Sequence, residues 1–186
     1  MKQGNAMEKN FWGRFPIERA SAFLLYAKGS PVRSLLFGLK YYGNDRLGHF
    51  LGRCMATELL SSGFFQGIDC IVPVPLHPRK QKRRGYNQSE VLAEGISAIT
   101  GIPVFPHLLY RNKDTHTQTH KGGRERWASV GNVFGCKEPG LLEDKHVLLV
   151  DDVLTTGATM VACADALGQV PGLRISVLTL ALSGDY

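Results

Sequence analysis

The stretch that most constrains this chain lies near its carboxyl end. It is Val147-Leu-Leu-Val150 followed by two adjacent acids, Asp151 and Asp152. The four apolar residues do not alternate with polar ones. A strand apolar at every position needs cover on both faces, as in a parallel sheet flanked by helices. In open sheets of that kind, ligands bind beyond the carboxyl ends of the strands. The sequence predicts a strand over 146–150 that the acidic pair ends. Neighbouring carboxylates repel each other unless hydroxyl donors or a divalent cation compensate. The pair therefore marks a candidate site.

Immediately afterwards comes Thr155-Thr-Gly-Ala-Thr159. Small residues let a backbone approach a ligand closely. A helix predicted over 156–168 opens here, with unpaired N–H groups and the positive end of its dipole; three threonine hydroxyls add donors, and together these suit a phosphate. Adjacent ribose hydroxyls match the acidic pair, so Asp151, Asp152, Thr155, Thr156, Gly157, Ala158 and Thr159 together describe a candidate ribose 5-phosphate site. Three other readings compete with this one. The acids could be a polar strand end with Thr156 as a helix cap. A P-loop nucleotidase would need G-x-x-x-x-G-K-[ST], which the chain lacks. A receiver domain places acids at strand ends without needing this threonine-rich cradle.

Strands alternate with helices along the rest of the chain, which predicts an α/β fold with a mainly parallel twisted sheet between helices. Residues 1–15 show no period, and partial disorder is expected there. A strand is predicted at 21–28. Ser30-Pro31 reads as a cap and first helical proline ahead of Val32, Leu35, Leu36 and Leu39. Gly43 breaks that helix, and another runs over 47–60. Cys70–Pro75 reads as a short buried strand that prolines terminate. Asn87 and Glu90 form a capping box for a helix carrying Val91, Leu92, Ile96 and Ile99. Further strands are expected at 103–109, 132–136 and 174–182. Residues 111–127 are polar, with almost no apolar residue to bury, which predicts a lid, a binding loop or a linker.

The chain has 186 residues, 44% of them hydrophobic, enough for one domain with a sizeable core. Its net charge of +6 favours an acidic partner without choosing between nucleic acid, a membrane surface and a phosphorylated metabolite. Cys54, Cys70, Cys136 and Cys163 form no C-x-x-C pair, and they read as free thiols of a reducing cytoplasm. Ala22–Tyr26 is too short to span a bilayer. The basic run Arg79–Arg84 has three readings: a pyrophosphate site, a nucleic-acid contact or a solvated helix face. His116 and His120 lie among poor helix formers with no completing ligand, so no transition-metal site is expected. Tyr41, Tyr42, Phe64 and Phe65 read as core aromatics, with a base-binding hood as the alternative.

Residues 147–159 resemble the PRPP (5-phosphoribosyl-1-pyrophosphate) motif of type I phosphoribosyltransferases. Pro73-Val-Pro-Leu-His-Pro78, Arg83-Arg-Gly-Tyr-Asn-Gln88, Gln118-Thr119, Arg124 and Asn132-Val-Phe-Gly135 resemble the ComF subfamily, which includes competence-related and gluconate-utilisation-associated proteins. The resemblance runs over about residues 20–182. It implies a small N-terminal hood over 1–60 and a phosphoribosyltransferase-like core over 61–186, with a mobile loop at about 111–130.

The resemblance also implies roles. Asp151 and Asp152 would bind the ribose hydroxyls and bear on the reacting centre, and Thr155–Thr159 would hold the 5′-phosphate. Leu76, His77, Arg79 and Lys80 would hold pyrophosphate with magnesium. Gln118, Thr119, Lys121 and Arg124 would belong to the closing loop. The expected chemistry is displacement of pyrophosphate at the anomeric carbon by an acceptor that the sequence does not name. Two alternatives are a non-catalytic PRPP sensor and a competence or DNA-transaction factor. A homodimer is common among similar proteins. The cysteine-rich zinc module that opens many ComF-like sequences is missing from this one.

Overall fold

A computed structural model of the chain describes Met7, Phe11 and residues 15–27, 29–41, 44–112 and 133–183. Its centre is a four-stranded sheet. The strands are β1 (Ala20–Tyr26), β2 (Cys70–Pro73), β5 (His146–Leu154) and β6 (Arg174–Ser183), in the order β1-β6-β5-β2. Every pairing in this sheet is parallel. The α/β class and the parallel sheet expected from the sequence are present. Val147–Val150 are wholly buried, as an unalternating strand between two helical layers requires.

Among the described residues, five α-helices and a ribbon surround the sheet: α1 (Val32–Tyr41), α2 (Asp45–Leu60), α3 (Pro78–Arg84), α4 (Gln88–Thr100), α5 (Ala158–Leu167), and the antiparallel pair β3 (Leu109–Arg111) and β4 (Phe134–Cys136). One core layer packs α5 and the ribbon against Val147, Leu149 and Val177. The other packs α1, α2 and α4 against Leu148, Val150 and Leu178. Met7 and Phe11 are buried in the first layer. The disorder expected for 1–15 therefore does not hold at these two positions; most of that segment lies outside the described residues.

The caps behave as their chemistry dictates. Ser30 Oγ accepts from the Val32 N–H, and Asn87 Oδ1 accepts from the Ser89 N–H at the start of α4. Asn87 Nδ2 also donates to the Val74 carbonyl at 3.0 Å, so one residue both caps α4 and fastens it to the exit of β2. Helices α2 and α4 cross at glycines. A Cβ on Gly52 would stand 2.2 Å from the Leu92 carbonyl oxygen, and one on Gly95 would stand 2.3 Å from that of His49.

Two strand expectations are corrected. Residues 103–109 form no continuous strand: Val104 makes a single bridge to Ile71, and β3 begins only at Leu109. Pro103 and Pro106 have no N–H to donate, so a ladder cannot run through them. The acidic pair does not end its strand either. β2 stops at Pro73, opposite Val150, whereas β6 stays paired with β5 through Asp151, Val153 and Leu154. The sheet thus loses one neighbour where the acids begin, and the space vacated by β2 opens beside them. Polar residues 113–132, including Gln118, Thr119, Lys121 and Arg124, lie outside the described residues, as do Gly43, Tyr42, His116 and His120. Asn112 and Val133, on either side of that segment, are joined by a backbone hydrogen bond of 2.9 Å.

Candidate functional site

At the carboxyl ends of β2 and β5 lies a cavity of about 470 Å³, within the range of small-molecule sites. Its floor is the acidic pair. Asp151 Oδ1 accepts from the Ser89 hydroxyl at 2.9 Å and from the Asp152 N–H at 2.8 Å. Asp152 Oδ2 faces Lys40 Nζ at 2.8 Å. Burial, and then the charge of Asp152, push the Asp151 carboxyl up from 3.8 to about 7; the two hydrogen bonds and Lys40 oppose that rise. At neutral pH Asp151 is thus poised between its acid and its carboxylate.

The rest of the wall is strongly basic. Arg33 and Lys40 come from α1, Lys80 and Arg84 from α3, and Arg111 from β3. Five cationic side chains face two carboxylates, Asp151 and Asp152, a formal excess of three positive charges. Two of the cations are incompletely satisfied. Arg84 donates to Gln88 Oε1 at 2.6 Å and lies 5.5 Å from the centre of the Tyr41 ring, and Arg111 lies 5.4 Å from that of Phe134. Yet Nε of each is buried without a hydrogen-bond partner. An unsatisfied buried donor costs about 1–3 kcal/mol, and an anion in the cavity would remove that cost.

Of the residues expected from sequence, Asp151, Asp152, Thr155, Thr159, Leu76 and Lys80 line this cavity together. Thr156, Gly157 and Ala158 build the turn behind Thr155 without lining it. Gly157, at φ 77, occupies the left-handed region, and α5 starts after it with no side-chain cap from that residue. The Ala158 N–H reaches Thr156 Oγ1 only at 3.4 Å. His77 and Arg79 are outside the lining. His77 Nδ1 accepts from the Arg79 N–H and caps α3, a structural task, and the Arg79 side chain is exposed.

Sequence reading missed Lys40, Arg33, Ser89 and Arg111. Ser89 sits inside the capping stretch 87–90, where it passes for a helix-start residue. Lys40 ends an amphipathic helix and gives no local sign of its partner 112 positions later. Arg84 belongs to the basic run, of which the sequence reading chose Arg79 and Lys80; Lys80 and Arg84 line the cavity, and Arg79 does not. A second depression of about 510 Å³, walled by Arg19 and residues 61–64 at the other end of β1, contains no carboxylate. Its arginine is already bonded to the carbonyls of Gly63 and Phe64. Chemistry, not size, distinguishes the first cavity.

Comparison with known proteins shows the family. Residues 52–185 match the pattern of the phosphoribosyl transferase domain. The chain belongs to that family. It is 32% identical over 140 residues to the DNA utilization protein YhgH of Salmonella typhi, covering 74% of this chain and 61% of that protein. It is 34% identical over 114 residues to competence protein F of Haemophilus influenzae, covering 61% of this chain and 50% of that one. The match is thus ComF-like, and the chain spans about three fifths of the length of the first of these relatives. A solved structure, the allosteric regulatory enzyme of purine biosynthesis, superposes with a TM-score of 0.49 at 21% identity, covering 70% of this chain and 25% of that one. Among the described residues no helix is long and apolar enough to cross a membrane.

Proposed function

We propose that the cavity binds PRPP together with magnesium and that an acceptor, not identified by the sequence, bonds to the anomeric carbon there as pyrophosphate leaves. The observation that carries this reading is one juxtaposition. The acidic pair and the Thr155–Thr159 turn share a cavity with a basic wall whose excess charge suits a ligand bearing phosphate at both ends. In this reading Asp151 and Asp152 accept from the ribose 2′ and 3′ hydroxyls, and Thr155–Thr159 with the opening of α5 take the 5′-phosphate. Lys80, Arg84 and Arg111 face the pyrophosphate, beside Leu76. The segment 1–60, to which α1 belongs, would be the hood of this reading; the loop expected at 111–130 lies mostly outside the described residues.

The donor set fits a magnesium ion brought in by its ligand. No group of three His, Cys, Asp or Glu gathers among the described residues. Magnesium is commonly held by one or two carboxylates plus phosphate oxygens and water, which Asp151 and Asp152 would supply in part. When bound, the ion would offset charge on the departing pyrophosphate. The basic side chains stabilise that same charge, and exclusion of water protects the oxocarbenium-like centre from hydrolysis. A cytoplasmic location fits the four cysteines, all of which are free thiols.

Thermal unfolding with PRPP tests the ligand. Magnesium-dependent protection is expected, and it should vanish in the double variant Asp151→Asn, Asp152→Asn; normal protection of that variant would refute the site. Pyrophosphate release with a panel of acceptors then separates an enzyme from a PRPP sensor. A second reading, a role in handling DNA, is favoured by the exposed Arg79, Lys82 and Arg83 of α3 and by the names of the relatives. It predicts single-stranded DNA binding that weakens steeply with salt and falls in Lys82→Glu, Arg83→Glu. Binding indifferent to both would dismiss it.

A further inference from the structure

Lys40 reaches the acidic pair from an anchored position. The residue before it, Leu39, is fully buried, and its carbonyl accepts from the Tyr86 hydroxyl. The residue after it, Tyr41, has the Arg84 guanidinium over its ring. Helix α1 is thus fixed on both sides of Lys40, and its ammonium is directed at Asp152 Oδ2. The side chains of Lys40 and Asp152 are only 27% and 14% exposed, so this pair is not a loose surface contact.

We propose that Lys40 makes divalent-cation binding at the acidic pair conditional on a phosphate-bearing ligand, by holding Asp152 until such a ligand draws the ammonium away. The inference rests on the ribose-phosphate reading above. Its physical basis is competition. An ammonium and a divalent cation seek the same carboxylate oxygen, and both are positive. A bare cation entering the cavity would meet Lys40 on its ligand and a wall already in positive excess. A cation that arrives with pyrophosphate brings compensating negative charge. Lys40 has a flexible four-carbon stem, so its ammonium can move from carboxylate to phosphate oxygen while its backbone stays in place. The site then selects the metal-loaded polyphosphate over free metal.

Manganese(II) serves as a spectroscopic probe of this exchange, with free and bound ion separated by electron paramagnetic resonance on the full chain. For the unaltered protein, manganese alone is expected to bind weakly, and inorganic pyrophosphate should bring manganese onto the protein. In Lys40→Met, bare manganese should bind at least about tenfold more tightly, a change of about 1.4 kcal/mol. Asp152→Asn added to that variant should abolish the gain, and Lys40→Arg should show none. If Lys40→Met gains nothing, or pyrophosphate brings no manganese onto the unaltered protein, the inference is overturned. Should Lys40→Met fail to fold, the titration of the unaltered protein decides: bare manganese bound as tightly as manganese pyrophosphate overturns the inference. None of these readouts uses PRPP, so failure here is distinct from failure of PRPP to protect the protein.

Discussion

At Asp151 burial and the neighbouring carboxylate act in one direction, and both favour the neutral acid. The folded protein therefore holds a proton between pH 3.8 and about 7 that the unfolded chain has released. Linkage gives the sign: where the native state binds more protons, stability falls as pH rises. In ligand-free protein, Asp151→Asn keeps an acceptor for Ser89 but has no proton to lose. It is expected to exceed the unaltered protein in stability at pH 8 by on the order of 2–4 kcal/mol. The two should converge near pH 4. Urea unfolding at both values measures the gap, and a gap equal at both would contradict the account. The same residues show what a sequence can disclose. Asp151, Asp152, Thr155 and Thr159 are legible because one strand and one turn deliver them in consecutive order. Lys40, Ser89 and Arg111 are not, because each arrives from a different element and only folding brings it to the acids.

Among the elements, α4 has the largest part in positioning the site: it carries Ser89 beneath Asp151, and its cap residue Asn87 fastens it to the end of β2. The glycine contact with α2 sets its depth. Gly52→Val would drive a branched side chain into the Leu92 carbonyl, and overpacking of that kind costs about 3 kcal/mol. Lowered stability in urea unfolding is the expected result; an unchanged midpoint would mean that the helices do not pack as described. Nothing local in the sequence pairs Gly48 and Gly52 of α2 with Gly95 of α4, since the two helices are separate in the chain. The central strands are legible by contrast, because β5 carries the apolar run Val147–Val150 and β6 is mostly apolar over Ile175–Leu182. The exception at 103–109 is instructive: apolar residues suggested a strand, and two prolines removed the donors that a strand needs.

Across the whole molecule, the two helical layers isolate the sheet and leave its carboxyl edge as the place where strands part. β2 turns away after Pro73, β5 continues, and the acids lie in the gap. The formal charge of +6 is distributed usefully, with five basic side chains facing that gap. Net charge alone could not distinguish a phosphorylated metabolite from nucleic acid; the gathering of those cations in one cavity with two carboxylates favours the metabolite. The central claim is about where a ligand sits, so a crystal structure with PRPP and magnesium tests it most directly. The account predicts the 5′-phosphate against Thr155–Thr159, the ribose hydroxyls on Asp151 and Asp152, and Lys40 moved off Asp152 toward phosphate oxygen. Ligand density elsewhere, with the acidic pair untouched and Lys40 still on Asp152, would contradict it.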